Sequence, residues 1–178
     1  KTEQERRAAL VELFPYVKAD VKRMMEIMDG LPVTFRLLDP PLHEFVPHSK
    51  KNKEKLAKSL NISIRTLTKR SDQLNESNPM MGHRGVRLGI TYPEMAFMQV
   101  RAILEAAAEL IKNKQKPLPE IMIPVTCDVK ELDDMKKIFD DVYAYVTAKF
   151  KVDKIDCQFG TMIEIPRAAL LSDQMAKT

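Results

Sequence analysis

The stretch PEIMIPVTCDVKELDDMKKIFDDVYAYVTAKF (119–150) contains one complete strand–helix unit. Its first part, residues 119–126, is a short apolar run that predicts a β-strand. Asp128 is a suitable N-cap for the helix that follows, which is predicted over 129–150. The apolar residues that share one face of this helix are Leu132, Met135, Ile138, Phe139, Val142 and Val146. A strand followed by an amphipathic helix is typical of a parallel sheet with helical crossovers.

The same alternation extends from this unit toward both ends of the chain. On its N-terminal side the sequence first predicts a helix over 3–28, interrupted or restarted at Pro15, and a strand over 33–38. Short helices follow over 50–60 and 63–75, the second with Ser63 as N-cap. A glycine-interrupted strand over 83–90 and a helix over 92–114, opened by a capping box of Thr91 and Glu94, complete this side. On its C-terminal side a strand over 160–165 and a helix over 167–177 are predicted. The strand centres, near residues 36, 86, 122 and 163, are about forty to fifty residues apart.

The predicted fold class is therefore α/β, with about four parallel strands that alternate with helices. This order suits either a doubly wound sheet or part of a TIM (β/α)8 barrel. A complete barrel needs ~250 residues, whereas this chain has 178, so a barrel would be a partial one. A chain of this length is predicted to form a single domain over residues 1–178.

The composition is that of an ordinary globular protein and argues against several functional classes. Apolar residues make up 44% and charged residues 30%, and the net charge of +4 is spread over helices in which bases alternate with acids. We therefore expect no nucleic-acid binding. No stretch approaches the ~20 apolar residues of a membrane span, so we expect no membrane partner. Cys127 and Cys157 lie far apart in no metal-binding pattern, which predicts two reduced thiols in a cytoplasmic protein, with an organelle as the alternative.

Three segments each combine a short apolar run with one conspicuous charge. They are VTFRLLDPPLHEF (33–45) with Arg36, NPMMGHRGVRLGI (78–90) with Arg84, and FGTMIEIPRAAL (159–170) with Glu164. In parallel α/β folds ligands bind at the carboxyl ends of the strands, so these three side chains are predicted to converge on one site. The planar fork of arginine suits phosphate or carboxylate oxygens. A carboxylate suits the same site when a cation such as Mg²⁺ lies between it and the anion.

Structural interpretations of the same charges stay open at this point. Arg36 could form an ion pair with Asp39 or with Glu164. For three charges on separate strands the functional interpretation gains weight, because buried ion pairs cost about as much as they return. The histidines fit structural or surface positions better than a metal site or a general base; they are His43, His48 and His83.

Three motifs in order closely resemble the phosphoenolpyruvate-binding barrel of the pyruvate, phosphate dikinase family. They are DGLPVTFRLLDPPLHEF (29–45), NPMMGHRGVRLGITYPE (78–94) and GTMIEIPRAAL (160–170). The resemblance covers essentially all 178 residues. It implies a (β/α)8 barrel, Mg²⁺ as cofactor, and reversible phosphoryl transfer between a phosphohistidine and pyruvate. On this mapping Arg36 and Arg84 hold the phosphate of phosphoenolpyruvate (PEP), and Glu164 is a Mg²⁺ ligand.

The resemblance also implies parts that this sequence does not contain. The family has a first barrel strand with an RTEH motif, a second Mg²⁺ ligand in a GTND motif, a proton-donating cysteine, and phosphohistidine and ATP-grasp domains. Neither Cys127 nor Cys157 fits that cysteine, so no catalytic residue is assigned. We expect a piece of a longer phosphotransferase with little turnover alone, whose partners are PEP or pyruvate, the phosphohistidine domain of the same protein, and a second copy in a homodimer. The alternatives are a PEP synthase-type domain and a non-catalytic module for anion binding or assembly.

Overall fold

The computed structural model describes residues 2–40, 47, 49–74, 78 and 82–178. The chain divides into two compact units, a larger one of residues 1–38 and 85–178 and a smaller one of residues 39–84. The larger unit contains α1 (Glu3–Ile27), β1 (Pro32–Arg36), α4 (Val86–Thr91), α5 (Pro93–Lys112), β2 (Leu118–Ile123), α6 (Val129–Phe150), β3 (Gln158–Thr161), α7 (Pro166–Leu170) and α8 (Ser172–Met175). The smaller unit contains α2 (Lys50–Ser59) and α3 (Ile64–Leu74).

The larger unit is built on a parallel sheet with the strand order β1-β2-β3. Thr34 lies opposite Glu120, and Glu120 lies opposite Gln158, so one register runs across all three strands. Helix α5 precedes β2, and α6 connects β2 to β3. The prediction of an α/β fold with a parallel sheet and helical crossovers is therefore confirmed.

The two faces of this sheet differ in chemistry. One face packs against α5 and α6 and carries the apolar side chains Phe35, Ile121, Ile123 and Phe159. The opposite face carries Thr34, Arg36, Glu120, Met122 and Gln158, all of them half-buried or exposed. We call this second surface the open face. Parallel sheets are normally covered on both faces, whereas among the described elements of the larger unit helices pack on one face of this sheet.

The helical layer contains most of the core. Helix α5 buries Leu104 and Leu110 between α1 and α6, and α6 contributes Val142 and Val146, which are fully buried. Asp128 caps α6 as predicted, because its side chain accepts a hydrogen bond from the Lys130 amide. Within the described residues, no helix combines the length and the apolar character that crossing a bilayer requires.

The predicted interruption of the first helix at Pro15 is wrong, because α1 continues through it. A proline inside a helix removes one hydrogen bond to the carbonyl four residues earlier. That carbonyl belongs to Val11, which is 71% exposed, so water can satisfy it.

The predicted strand over 83–90 is also wrong, because this region contains helix α4. Gly85 has a φ of 55°, which turns the chain, and its carbonyl accepts hydrogen bonds from the amides of Leu88 and Gly89. A short apolar run does not distinguish a strand from a buried helical turn by periodicity alone. The described sheet therefore has three strands and not four.

One predicted cap and two predicted element boundaries also differ from the structure. Thr91 ends α4 and donates to the Arg87 carbonyl, so it does not form a capping box with Glu94. The last strand ends at Thr161, earlier than predicted, which leaves Glu164 in the following loop. The helix predicted over 167–177 is divided into α7 and α8.

Candidate functional site at the carboxyl edge of the sheet

Arg36 is the last residue of β1 and lies on the open face of the sheet. Its Nε donates to the Sδ atom of Met162 at 3.3 Å. Met162 follows directly after β3, and its own amide donates to the Ile123 carbonyl at the end of β2. Arg36 is thus located at the edge where all three strands end, and its side chain is exposed.

Glu164 lies two residues beyond Met162 and is half-buried. Its Oε1 atom accepts a hydrogen bond of 2.7 Å from the amide of Val125, which follows β2. Glu164 does not lie in the strand predicted over 160–165, because β3 has ended before it and Pro166 begins α7. A loop carboxylate nevertheless reaches the same edge, because the Val125 amide holds it there.

Val125 has an unusual backbone conformation for a buried β-branched residue. Its φ is 62°, in the left-handed region, and the residue is 2% exposed. β-branched residues rarely adopt this conformation, because their side chains crowd the backbone there. At Val125 it accompanies the turn that directs the amide toward Glu164 and not along the strand ladder.

Gly85 packs directly against this turn. A Cβ atom added to Gly85 would lie 2.7 Å from the Pro124 carbonyl oxygen and 2.8 Å from Cγ2 of Val125. The amide of the next residue, Val86, donates to the same Pro124 oxygen at 3.0 Å. Only a residue without a Cβ permits this close approach of two backbone segments.

Arg84 belongs to the smaller unit, where it forms an ion pair with Asp39. Its Nε donates to Oδ1 of Asp39 at 2.7 Å, and one terminal nitrogen donates to Oδ2. The Asp39 side chain is completely buried and that of Arg84 is 17% exposed. Asp39, which the sequence offered as a partner for Arg36, therefore accepts a bidentate pair from Arg84. The convergence of Arg84 with Arg36 and Glu164 on one site stays a prediction.

The described residues fit one ligand of a Mg²⁺ ion but not a complete site. They contain no group of three or more His, Cys, Asp or Glu side chains that could hold a metal ion. Mg²⁺ is commonly bound through one or two carboxylates, with waters and substrate oxygens as its other ligands. Glu164 meets that description, because within the described part of the chain its only hydrogen bond is at Oε1, which leaves Oε2 for a cation.

The cysteines have the properties of structural thiols. Burial raises the pKa of Cys127, and the nearby carboxylate of Glu131 raises it further. Burial raises the pKa of Cys157 to about 12, with a contribution from Asp156. Both thiols are free, as predicted, and neither has the lowered pKa of a reactive cysteine.

His83 lies in the smaller unit, and His43 and His48 lie outside the described residues.

Sequence reasoning missed Val125 and underestimated Gly85. The glycine was visible in the sequence, but its role depends on a close approach to Pro124 and Val125, which are about forty residues away in the chain. Val125 carried no signal, because it lies inside the run 119–126, for which the sequence predicts extended backbone, whereas β2 ends at Ile123.

Comparisons with known proteins agree with the sequence motifs. A family model described as "PEP-utilising enzyme, PEP-binding domain" matches residues 2–178. The chain is 46% identical over 175 residues to pyruvate, phosphate dikinase of Clostridium symbiosum, which is 98% of this chain and 20% of that protein. It is 46% identical over 176 residues to the Giardia intestinalis enzyme, or 99% of this chain and 20% of that protein. It is 44% identical over 178 residues to the chloroplastic dikinase 1 of Arabidopsis thaliana, or 99% of this chain and 18% of that protein. The predicted resemblance is confirmed, and the chain spans about a fifth of the length of these relatives.

Proposed function

Because the chain belongs to the PEP-binding domain family of PEP-utilising enzymes, we propose that it forms the PEP- and pyruvate-binding part of a Mg²⁺-dependent phosphotransferase. The longer enzyme would move a phosphoryl group between a phosphohistidine and pyruvate, as the resemblance to the dikinases implies. One observation carries the proposal for this chain. An exposed arginine, Arg36, and a half-buried carboxylate, Glu164, lie at the same carboxyl edge of a parallel sheet. Such an edge is where α/β folds bind their ligands.

In this proposal Arg36 binds the phosphate group of PEP. Its guanidinium has five N–H donors in a rigid fork, which match phosphate oxygens in pairs. The Met162 sulfur, at 3.3 Å from Nε, is a weak acceptor, so a phosphate oxygen can replace it at little cost. Positive charge at this position neutralises the phosphoryl group during transfer.

Arg84 is proposed as the second phosphate ligand. Two of its N–H groups point at Asp39, and the positive charge and planar fork of a guanidinium suit a phosphate group. The buried Asp39 fixes the orientation of the fork before any ligand arrives, which lowers the entropic cost of binding.

Glu164 is proposed as a ligand of the Mg²⁺ ion through Oε2. When bound, Mg²⁺ supplies a Lewis acid that stabilises negative charge on the substrate oxygens. The chain's own contribution is to hold the carboxylate at a fixed position, through the Val125 amide, at the edge that carries Arg36. The metal's other protein ligands would come from residues of the longer enzyme.

The open face of the sheet supports the finer proposal of a (β/α)8 barrel. In such a barrel the helices lie outside and the opposite face of every strand points into the interior. The described sheet has this arrangement, with helices on one face and Thr34, Arg36, Glu120, Met122 and Gln158 on the other. Strands β1 and β3 are sheet edges that further strands could extend.

The partners proposed for the longer enzyme are its own phosphohistidine domain and a second copy in a homodimer. Unpaired parallel edges favour association, so we expect the isolated chain to self-associate in sedimentation. A strictly monomeric and well-folded species would count against this part of the proposal.

Calorimetric titration of PEP into the protein, with Mg²⁺ and then with a chelator, tests the binding site. We expect the binding of PEP to depend on Mg²⁺. Arg36→Ala should weaken this binding about tenfold, because it removes charge-assisted hydrogen bonds. Glu164→Gln should abolish the dependence on the metal. Arg23→Ala is the matched control, because Arg23 is also exposed but lies on α1, and it should change affinity little. Metal-independent binding that is indifferent to Arg36→Ala would support a non-catalytic anion-binding module instead.

A further inference from the structure

We propose that Val125 and Gly85 are positioning residues that hold Glu164 in the orientation needed to bind the cation. This inference rests on the proposed role of Glu164 as a metal ligand. Val125 is apolar and Gly85 has no side chain, so the pattern of charges in the sequence does not point to either residue. The two act in series, because Gly85 supports the turn at Val125 and the amide of Val125 supports the carboxylate.

The contact between Val125 and Glu164 selects one of the two carboxylate oxygens. The Val125 amide donates to Oε1 at 2.7 Å, and no other described group hydrogen-bonds Glu164. A half-buried carboxylate in a loop would otherwise exchange between rotamers. Because Oε1 accepts the hydrogen bond from the amide, Oε2 is the oxygen that binds the cation. The carboxylate cannot rotate without losing the contact with the amide. Such support of a ligand by a neighbouring donor is a common way to tune metal affinity.

The orientation of the peptide between Pro124 and Val125 is what makes the Val125 amide available. The C=O and N–H groups of one trans peptide lie in one plane and point in opposite directions, so the Val86 amide that holds the Pro124 carbonyl also directs the Val125 amide toward Glu164. The φ of 62° at Val125 then turns the chain that follows. A β-branched residue does not adopt this conformation by preference, so the surrounding packing must impose it.

Gly85 supplies that packing. It lies against both the Pro124 carbonyl and the Val125 side chain, at distances that exclude any Cβ. The Val86 amide then bonds to the Pro124 oxygen, which fixes the peptide immediately before Val125. A substitution at Gly85 must therefore displace the turn that presents the amide to Glu164.

The structure offers a matched control for this substitution. Gly30 also has a positive φ, of 79°, but a Cβ added there would meet nothing within 4 Å. Gly30→Ala and Gly85→Ala therefore both introduce backbone strain, and only Gly85→Ala adds the collision with Pro124 and Val125. The difference between the two variants isolates the effect of displacing the turn.

The first measurement is the affinity of the complete polypeptide for Mn²⁺, a paramagnetic substitute for Mg²⁺, by electron paramagnetic resonance. Gly85→Ala should weaken Mn²⁺ binding about tenfold, the size of effect seen when the support of a metal ligand is removed. Gly30→Ala should leave the affinity nearly unchanged, and Glu164→Gln should weaken it at least as much as Gly85→Ala. Equal affinities for Gly85→Ala and Gly30→Ala would overturn the inference.

The second measurement needs no metal and still decides the question if Gly85→Ala does not fold. In a ¹⁵N-valine spectrum, the Val125 amide proton should resonate downfield, because it is bonded to a charged oxygen. Glu164→Gln should shift this resonance upfield, whereas Gly30→Ala should not. An unchanged Val125 resonance in Glu164→Gln would show that the contact is absent and would refute the inference.

The two measurements also separate this inference from the function on which it rests. If Glu164→Gln shifts the Val125 resonance but leaves Mn²⁺ affinity unchanged, the role of Glu164 as a metal ligand fails, and the inference fails with it. If Glu164→Gln weakens Mn²⁺ binding and Gly85→Ala matches Gly30→Ala, the metal ligand stands and the positioning role alone is refuted.

Discussion

Two carboxylates of the larger unit, Glu105 in the helical layer and Glu164 at the sheet edge, have opposite surroundings. Glu105 is 2% exposed and accepts hydrogen bonds from three cations. They are Lys18 at 3.1 Å, Arg101 at 2.8 Å and Lys149 at 2.7 Å, from α1, α5 and α6 respectively. Glu164 is half-buried and accepts one hydrogen bond, from a backbone amide.

The difference separates a charge that holds helices together from one that we propose binds a cation. The charge of Glu105 is more than neutralised by side chains that join three helices, so nothing remains for a further cation. An amide orients Glu164 without neutralising it, because an N–H group carries no net charge. A formal charge that is fixed in position but not neutralised is what a cation site needs.

The largest expected effect is on stability, when each carboxylate is replaced by its amide. Glu105→Gln should lower the free energy of unfolding by about 2 kcal/mol, because it leaves three cations around a neutral group. Glu164→Gln makes the same chemical change, but should cost less than about 1 kcal/mol, since one backbone hydrogen bond is affected. Urea denaturation measures both values, and equal losses would remove the distinction between the two regions.

Replacing an arginine of the helical layer should lower stability, whereas replacing the arginine of the sheet edge should lower PEP affinity. Arg101 pairs with Glu105 and lies 4.6 Å from the centre of the Phe14 ring, so Arg101→Ala should cost about 1 kcal/mol of stability. Arg36→Ala removes an exposed side chain and should change stability by less than about 0.5 kcal/mol. PEP affinity should respond in the reverse order, with the loss confined to Arg36→Ala. A variant that lowers both quantities equally would contradict the separation.

The helical layer should also determine part of the response to acid. Burial alone would raise the pKa of Glu105, but hydrogen bonds from Lys149, Arg101 and Lys18 outweigh it and lower the pKa below its ordinary value of 4.5. The stabilisation is therefore complete above about pH 4.5 and is lost as the pH falls through the lower pKa of the folded state. We expect the urea midpoint to fall less steeply below pH 4.5 in Glu105→Gln than in the parent protein. Parallel acid profiles would show that this carboxylate does not contribute.

The last prediction concerns the reactivity of the thiols, which should affect neither stability nor ligand affinity. At pH 8, a pKa of about 12 gives Cys157 about a thousandfold less thiolate than an ordinary cysteine with a pKa of 9.0. Iodoacetamide should therefore modify Cys157 more slowly than Cys127, whose pKa is also raised, and both more slowly than a free thiol. Mass spectrometry of the alkylated peptides gives the two rates. Faster modification of Cys157 than of Cys127 would contradict the buried environment assigned to it.

Several elements were predictable because more than one sequence signal agreed on each. Helix α6 has an apolar face along its whole length and an N-cap at Asp128, and the structure shows both. Strand β2 follows from an apolar run that the structure buries on alternate residues. Strand β1 was also predictable, but its predicted range of 33–38 ended two residues too late, so only the structure placed Arg36 at its last position.

The prediction was wrong where only one weak signal was present. The apolar run at residues 86–91 is too short for its length to distinguish a strand from a helix. Close packing of Gly85 against the end of β2 decided in favour of a helix. Thr91 and Glu94 have capping-box spacing, yet a distant partner, Arg6, engages Glu94. Contacts between residues far apart in the chain therefore overrode the local pattern in both places.

The sequence by itself determined the parallel α/β order, the family and the presence of two arginines and a glutamate in its motifs. These features depend on hydrophobic periodicity and on the identity of neighbouring residues, both of which the sequence gives directly. The tertiary structure decided how Glu164 is held. A left-handed Val125 and a glycine without room for a Cβ are consequences of close packing between segments about forty residues apart. Local preference opposes that conformation at Val125, so only the packed structure could disclose it.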